Sequence, residues 1–165
     1  MYFWVFLAFL ITQRLSELYI ARQNEKWLLK QGAVQYGQSH YPFMVGMHTL
    51  FIVSLIVEYN LRDNTPFNYY FLLAFILVLS FKFWALSSLG KYWNTKIYRV
   101  PGVYPVKKGP YKIFKHPNYM EVVLEIAIIP MVFNLYYTAI IFSVLNAAML
   151  YVRISVENKV WADSE

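Results

Sequence analysis

Ionisable residues in the C-terminal third of the sequence have the spacing of two charged helix faces. Glu121 and Glu125 lie four residues apart, which places both on one face of a helix, and Arg153 and Glu157 repeat that spacing later in the chain. Asn146 shares the face of Arg153. The surrounding sequence is apolar, and an ionisable side chain facing lipid costs roughly 3 kcal/mol or more. We therefore expect these groups to point inward and to meet partners of opposite charge.

Two hypotheses explain the paired charges. The glutamates need cations, and the candidates are Arg153, the basic residues that precede residue 117, or a positively charged ligand. If two antiparallel helices turn near Asn134, His116 lies level with Arg153 across the pair. Such a polar seam either holds a small ionic ligand or is a buried ion-pair network that only fixes the helices. Spacing alone favours neither.

The composition indicates a membrane protein. Of 165 residues, 59% are hydrophobic, 20% are aromatic and only 15% are charged, and the mean hydropathy is +0.39. The absence of cysteine excludes disulfides, thiolate nucleophiles and sulfur ligands, and the three histidines are far apart in sequence. The six glycines form no nucleotide-binding motif. We therefore predict neither a metal site nor a soluble nucleotide-binding fold, and we expect no nucleic-acid partner.

Apolar runs predict an all-α, multi-pass membrane protein with about five transmembrane helices in a single domain, 1–165. The spans are about 2–21, 42–59, 67–89, 118–133 and 136–157. The first helix continues past its span to a stop at Gly32, and we expect it to be retained because it lacks the features of a signal peptide. The last two spans leave almost no loop and predict a tight hairpin. Its first arm, about 24 Å long, barely crosses roughly 30 Å of hydrocarbon.

The stretch 90–117 predicts a functional flap. It carries seven basic residues and no acidic one, which by the positive-inside rule places it and the C-terminus in the cytoplasm and the N-terminus outside the cell membrane. Loops of this length are usually functional or disordered, and disordered segments are poor in aromatic residues. This one holds Tyr92, Trp93, Tyr98, Tyr104 and Tyr111. An ordered flap over the membrane face is therefore expected, although an interfacial belt touching anionic lipid is an alternative that can coexist with it.

Other polar residues in the spans favour structural roles. Arg14 and Glu17 predict an interhelical ion pair, together with Gln13. His48 is interpreted as a hydrogen-bonded packing residue. Lys82 is expected to extend to the interface, and Glu58 simply to end its helix.

Three motifs in the C-terminal half are informative in combination. They are Gly109-Pro110-Tyr111, then Lys115-His116-Pro117-Asn118-Tyr119, and Arg153-Ile154 followed by Glu157. With these motifs the chain resembles the isoprenylcysteine carboxyl methyltransferase family of membrane enzymes. Further residues resemble the bacterial branch that includes small alkylpyrone O-methyltransferases, partners of type III polyketide synthases: Arg14, Glu17, Asn24, Gly32, Gly37 and His48.

The resemblance implies S-adenosylmethionine bound beneath the flap, at the cytosolic end of the last two helices, and a lipophilic acceptor that enters from the bilayer. It implies methylation of an enol or carboxylate oxygen, on an alkylpyrone-type polyketide, with coupling to a polyketide synthase. The implied cofactor-binding residues are Tyr111, His116, Pro117, Asn118, Tyr119, Arg153 and Glu157. The predicted catalytic residues are Arg153 and Glu157, which hold the cofactor or the acceptor, and Glu125. Either the carboxylate of Glu125 or tyrosine ring faces are expected to stabilise the sulfonium.

Departures from the family pattern bear on the acceptor. Lys115 stands where Arg is commoner, Glu121 where the eukaryotic branch usually has Gly, and Asn158 where a second Glu is frequent. These differences argue against a prenylcysteine acceptor more than against methyl transfer. Two alternative functions stay open: a nicotinamide-dependent membrane reductase of the steroid-reductase-like type, which shares a His-Pro-Asn-Tyr-type motif, and a non-enzymatic membrane scaffold.

Overall fold

Five α-helices account for most of the chain. The structure is a computed structural model and describes residues 1–63 and 65–162. The helices are α1 (Tyr2–Lys30), α2 (Tyr41–Leu61), α3 (Tyr69–Leu89), α4 (Pro117–Met131) and α5 (Tyr136–Ala162). Two short strands, β1 (Val34–Tyr36) and β2 (Ile97–Arg99), pair antiparallel, with Gln35 opposite Tyr98. Strand β2 lies in the segment 90–117, called the flap below.

Four of the helices, α1, α2, α3 and α5, are long and apolar enough to cross a membrane. Helix α4 has 15 residues, or about 22 Å, which is shorter than roughly 30 Å of hydrocarbon. It packs against α3 and α5. The protein is therefore a helical membrane protein, and a fifth crossing by α4 stays a prediction.

Local chemistry sets the helix ends. Helix α3 begins two residues later than predicted because the Asn68 side chain accepts hydrogen bonds from the backbone N–H groups of Tyr70 and Phe71. Helix α4 ends at Met131, and Asn134 adopts a positive φ of 53°, a conformation that asparagine tolerates well. The chain thereby reverses into α5 within four residues.

Glu58 does more than end its helix, which corrects the sequence-based expectation. Its carboxylate is buried and accepts hydrogen bonds from the backbone N–H groups of Tyr137, at 3.1 Å, and Thr138, at 2.7 Å. These N–H groups belong to the first turn of α5. N–H groups in the first turn of a helix have no acceptor within the helix, and that end of the helix carries a partial positive charge. A side chain of α2 thus caps α5 at the end of the bundle far from the flap.

Helix α1 extends beyond its apolar part and holds the flap. Asn24 Nδ2 donates to the carbonyl oxygens of Gly90, at 3.2 Å, and Trp93, at 2.7 Å. Asn94 Nδ2 donates back to the carbonyl of Ala21, at 2.8 Å. Lys96 and Tyr98 both contact Glu25 Oε1. The first third of the flap is therefore fastened to the end of α1.

Candidate active site

A cavity of about 630 Å³ lies beneath the flap, between the flap ends of α4 and α5; it is more polar than the cavity that adjoins it and is called the polar cavity below. Its volume is in the range of small-molecule sites. Of the predicted cofactor-binding residues, six line it: Tyr111, His116, Asn118, Tyr119, Arg153 and Glu157. Pro117 does not, because it is buried at the first position of α4, where its fixed φ and missing N–H suit the start of a helix. Its role is to begin the helix that carries the others.

Contacts across α4 and α5 organise one wall of the polar cavity. The rings of His116 and Tyr119 stack with centroids 5.4 Å apart. His116 Nδ1 lies 3.7 Å from Glu157 Oε1, and the Tyr119 hydroxyl donates a hydrogen bond to the other oxygen of Glu157. On the flap, burial and the nearby carboxylates of Glu121 and Glu157 raise the pKa of Tyr111, so its hydroxyl stays protonated. The wall thus offers ring faces, a carboxylate and a hydroxyl donor.

Five buried polar atoms of residues around this cavity have no hydrogen-bond partner among the described residues. They are Arg99 Nε, the Tyr111 hydroxyl, His116 Nε2, Asn118 Oδ1 and Arg153 Nε. Buried polar groups in folded proteins are nearly always partnered, so a cluster of exceptions indicates a polar ligand. A cofactor with an amino acid end, a ribose and an adenine ring matches this mixture of donors, acceptors and aromatic faces. The residues present fit S-adenosylmethionine.

Arg153 is a buried cation that has no carboxylate in ion-pair contact among the described residues. Its side chain is about 7% exposed, Nη2 donates to the carbonyl oxygen of Thr95 at 2.9 Å, and Nη1 contacts the sulfur of Met44. The guanidinium carbon lies 5.4 Å from the centre of the Tyr119 ring. Across residues 1–63 and 65–162, no carboxylate oxygen lies within 4 Å of its nitrogens. A buried guanidinium in this state can bind an anionic ligand through two parallel hydrogen bonds.

A second, mostly apolar cavity of about 510 Å³ adjoins the polar one. It lies among α1, α2, α4 and α5, and its lining includes side chains that are exposed on the outer surface of the helices: Ile11, Leu15, Val45 and Val53. These belong to α1 and α2, so the cavity opens towards lipid between those helices. Four residues line both cavities and form their shared wall: Asn94, Asn118, Tyr119 and Arg153.

Lys82 points inward, and the expectation that it extends to the interface is wrong. Its side chain is about 2% exposed, and Nζ lies 2.6 Å from Glu17 Oε1, 2.8 Å from Glu125 Oε2 and 3.3 Å from Glu121 Oε2. If the Lys82 side chain turned outward, three buried carboxylates would be left without this cation, which is more costly than burying the ammonium among them. Lys82, and not Arg153, is therefore the counter-ion of the two glutamates on α4.

Glu125 belongs to this buried cluster. Its Oε2 binds Lys82, and its Oε1 accepts a hydrogen bond from Gln13 at 3.2 Å. It lines the apolar cavity and not the polar one. Both of its oxygens are engaged, and its catalytic role stays a prediction. Arg14 pairs with Glu17 within α1, at 2.8 Å, and the interhelical ion pair expected of this helix face is made by Glu17 with Lys82 of α3.

His48 has the packing contact expected of it. Its Nδ1 lies 2.9 Å from the carbonyl oxygen of Met44 one turn earlier, and its ring lines the apolar cavity. Thr95, in contrast, was not singled out from the sequence, because its contribution to the site is a backbone carbonyl that any residue would supply.

Comparison with known proteins supports the arrangement. The model of the isoprenylcysteine carboxyl methyltransferase family matches residues 71–163, which comprise most of α3, the flap, α4 and α5. A Bacillus subtilis (strain 168) protein described as "Uncharacterized protein YpbQ" is 50% identical over 159 residues, covering 95% of each chain. An uncharacterised Haemophilus influenzae protein is 28% identical over 154 residues, covering 91% of this chain and 89% of its own. No solved structure matches significantly. The chain belongs to the isoprenylcysteine carboxyl methyltransferase family, and it is thus a membrane protein of a family of S-adenosylmethionine-dependent methyltransferases.

Proposed function

We propose that the protein methylates an enol or carboxylate oxygen of a lipophilic acceptor, of the alkylpyrone polyketide type, with S-adenosylmethionine as methyl donor. One observation carries the proposal. A polar cavity under the flap and an apolar cavity open to lipid share a wall made by Asn94, Asn118, Tyr119 and Arg153. A water-soluble donor in the polar cavity and a lipid-soluble acceptor in the apolar cavity would lie next to each other at this wall.

The residues around the polar cavity suit the donor. Bound there, S-adenosylmethionine supplies an electrophilic methyl group. The stacked rings of His116 and Tyr119 offer faces that attract a cation, and Glu157 can accept hydrogen bonds from an amine or from ribose hydroxyls. Arg153 can hold either the carboxylate of the donor or the anionic oxygen of the acceptor. In this proposal the flap covers the bound donor and limits the access of water, which would strengthen each of these contacts.

Placement of the two molecules accounts for most of the catalysis in this proposal. An acidic enol or a carboxylate is already a competent nucleophile, so its orientation in line with the methyl group is the main requirement. Entry between α1 and α2 leaves the alkyl chain in the apolar cavity and brings the oxygen to the shared wall. Arg153, Glu157 and Glu125 are the residues that we propose for catalysis.

The proposed setting is the cell membrane. We propose five crossings, with the N-terminus outside and the flap, the active site and the C-terminus in the cytoplasm, because the flap concentrates basic residues. A cytoplasmic site that opens to lipid could receive its acceptor from a polyketide synthase, which is the partner that we propose.

Ligand-induced stabilisation tests the site. Saturating S-adenosylhomocysteine should raise the unfolding temperature of the purified protein, and Arg153→Ala or Glu157→Ala should abolish the rise, because a ligand stabilises only the state that binds it. Lys159→Ala is the matched control, since Lys159 is an exposed cation on the same helix and should leave the rise intact. Binding retained in both site variants would refute the assignment of the site.

The two alternative functions give different results in the same assay. A reductase should be stabilised by reduced nicotinamide cofactor and not by S-adenosylhomocysteine. A scaffold should respond to neither. Membranes can then be incubated with S-adenosylmethionine that carries a labelled methyl group, and the label that appears in organic-extractable products identifies the acceptor. Transfer of the label to water-soluble products alone would contradict a lipophilic acceptor.

A further inference from the structure

Asn146 is a buried amide without a hydrogen-bond partner in the described part of the chain. The residue lies on α5 and is about 2% exposed, and no side chain or backbone group in 1–63 or 65–162 bonds to its amide. Asparagine offers two donor hydrogens and an acceptor oxygen, and such groups are nearly always partnered when they are buried. In a membrane helix the usual partner is a polar side chain of a neighbouring helix. Asn146 instead lines the apolar cavity, where its amide is available to a ligand.

Asn146 lies deeper in the bundle than the shared wall. It lines the apolar cavity and does not line the polar one. It precedes Arg153, a residue of the shared wall, by seven positions, so both lie on one face of α5 and are separated by about 10 Å along the helix. A ligand group that reaches Asn146 is therefore distinct from the oxygen that is methylated at the wall. It belongs to the chain of the acceptor and not to its head.

Two more polar side chains, one from α1 and one from α2, face the same cavity. Gln13 Nε2 donates to two carboxylates, whereas Gln13 Oε1 is buried and has no hydrogen-bond partner among the described residues. His48 Nδ1 faces the carbonyl oxygen of Met44, which can only accept, so the neutral ring keeps Nε2 as an acceptor. Both residues line the apolar cavity. The cavity thus offers donor hydrogens at Asn146 and acceptor atoms at Gln13 and His48.

The register of α2 and α5 places His48 close to the height of Asn146. Met44 contacts Arg153, and a second contact towards the far end shows that the two helices run antiparallel. His48 follows Met44 by four residues, or about 6 Å. Asn146 precedes Arg153 by seven residues, or about 10 Å. The two side chains therefore leave their helices within about one turn of each other in height.

The charged residues of the apolar cavity require no further charge at this depth. Those outside the shared wall are paired with one another or with Lys82 of α3: Arg14, Glu17, Glu121 and Glu125. A neutral group is therefore the complement of this region, because an additional charge in a poorly hydrated cavity is costly. A hydroxyl suits it best, because a hydroxyl donates to Gln13 or His48 and accepts from Asn146, whereas a carbonyl only accepts. Glu121 Oε2 makes no hydrogen bond with a described residue, and a hydroxyl can complement it in either protonation state.

We infer that Asn146 selects an acceptor whose alkyl chain carries a hydroxyl group, about 10 Å from the oxygen that is methylated. The inference rests on the proposed function and narrows its substrate class. An unsubstituted chain would fill the apolar cavity but leave the Asn146 amide and Gln13 Oε1 without hydrogen bonds, which disfavours its binding. Asn146 is in this view a specificity-determining residue that does not touch the reacting atoms.

Positional isomers of hydroxyhexadecanoate test the inference. They share the carboxylate head, the chain length and one hydroxyl, so they differ only in the position of that hydroxyl. Purified protein saturated with S-adenosylhomocysteine should bind the isomer whose hydroxyl lies about 10 Å from the carboxylate at least about tenfold more tightly than the isomers hydroxylated next to the carboxylate or at the chain end. Equal affinities for the three isomers, or a preference for either of the other two, would overturn the inference. This measurement uses the unaltered protein and does not depend on the folding of a variant.

Asn146→Leu should remove the preference, so that the three isomers bind within about threefold of one another, while hexadecanoate binds at least as tightly as before because it loses no hydrogen bond. Asn60→Leu is the matched control, because it makes the same exchange at an exposed position of α2 outside both cavities and should keep the preference. A preference that persists in Asn146→Leu would overturn the inference.

The donor separates a failure of the inference from a failure of the proposed function. Both variants should keep the stabilisation by S-adenosylhomocysteine, since neither residue lines the polar cavity. A protein that is stabilised by S-adenosylhomocysteine but shows no preference among the isomers contradicts only the inference. If the unaltered protein is not stabilised by S-adenosylhomocysteine, the proposed function itself fails.

Discussion

Two buried cations in this protein have opposite surroundings. Lys82 is held by carboxylates of α1 and α4. Arg153, almost as deeply buried, contacts a backbone carbonyl, a thioether and an aromatic ring. A buried charge with its counter-ions in place stabilises the fold, whereas one without them is prepared for a ligand. The difference teaches that in a membrane helix the partners of a charge, and not its burial, distinguish a structural residue from a binding residue.

The largest expected effect separates the two cations by stability. Lys82→Met should lower the free energy of unfolding by about 3–5 kcal/mol, because it leaves buried carboxylates without their cation. Arg153→Met should change it by less than about 1 kcal/mol, because the guanidinium that is replaced by an apolar side chain of similar length has no carboxylate in ion-pair contact. Denaturant unfolding in detergent measures both. Equal losses in the two variants would show that Arg153 is as much a structural residue as Lys82.

A smaller effect is expected at the opposite end of the bundle, where charge is used only for structure. Glu58→Gln keeps one acceptor oxygen for the first turn of α5 but loses the charge that favours a helix N-terminus. We expect a loss of about 1–2 kcal/mol in unfolding free energy. The stabilisation by S-adenosylhomocysteine should be unchanged, as measured in the same thermal assay. A weakened ligand response would mean that this end is coupled to the active site.

The smallest effect reports the charge of Arg153 directly. Burial and the positive charge of Arg153 lower the pKa of His40, which lies at the start of α2, because both disfavour the imidazolium form. Neutralising Arg153, either by Arg153→Met or by a bound anion, should therefore raise this pKa, and the rise should be small because burial of His40 is the larger cause of the lowering. Titration of the histidine ring protons by NMR measures the shift. A pKa that does not move would indicate that the guanidinium is already neutralised.

The sequence predicted much of the helical framework, for a simple physical reason. Apolar runs long enough for a bilayer leave few alternatives to a helix, so α2 and α3 lie within two residues of their predicted limits. Most of the residues around the polar cavity that we singled out could also be predicted from the sequence, because the motif from His116 to Tyr119 and the pair Arg153 and Glu157 resemble a family pattern.

Partnerships between distant helices were not predictable from spacing. Lys82 is the one charged residue in the sequence of α3, which is compatible with a side chain that reaches the interface and with one that faces the bundle. Only the packing of α1 and α4 against it decides between these positions. Glu58 presents the same difficulty, since its partners are N–H groups 79 and 80 residues later in the chain.

Helix α1 serves two parts of the molecule at once. One stretch of it borders the opening through which lipid reaches the apolar cavity, and its far end holds the flap through Asn24 and Ala21. A movement of α1 would therefore change both the opening of the apolar cavity and the position of the flap. If α1 tilts to admit a wider acceptor, either the flap must move with it or the hydrogen bonds of Asn24 and Asn94 must break. The width of the lipid-facing opening and the closure of the flap over the polar cavity are therefore mechanically coupled.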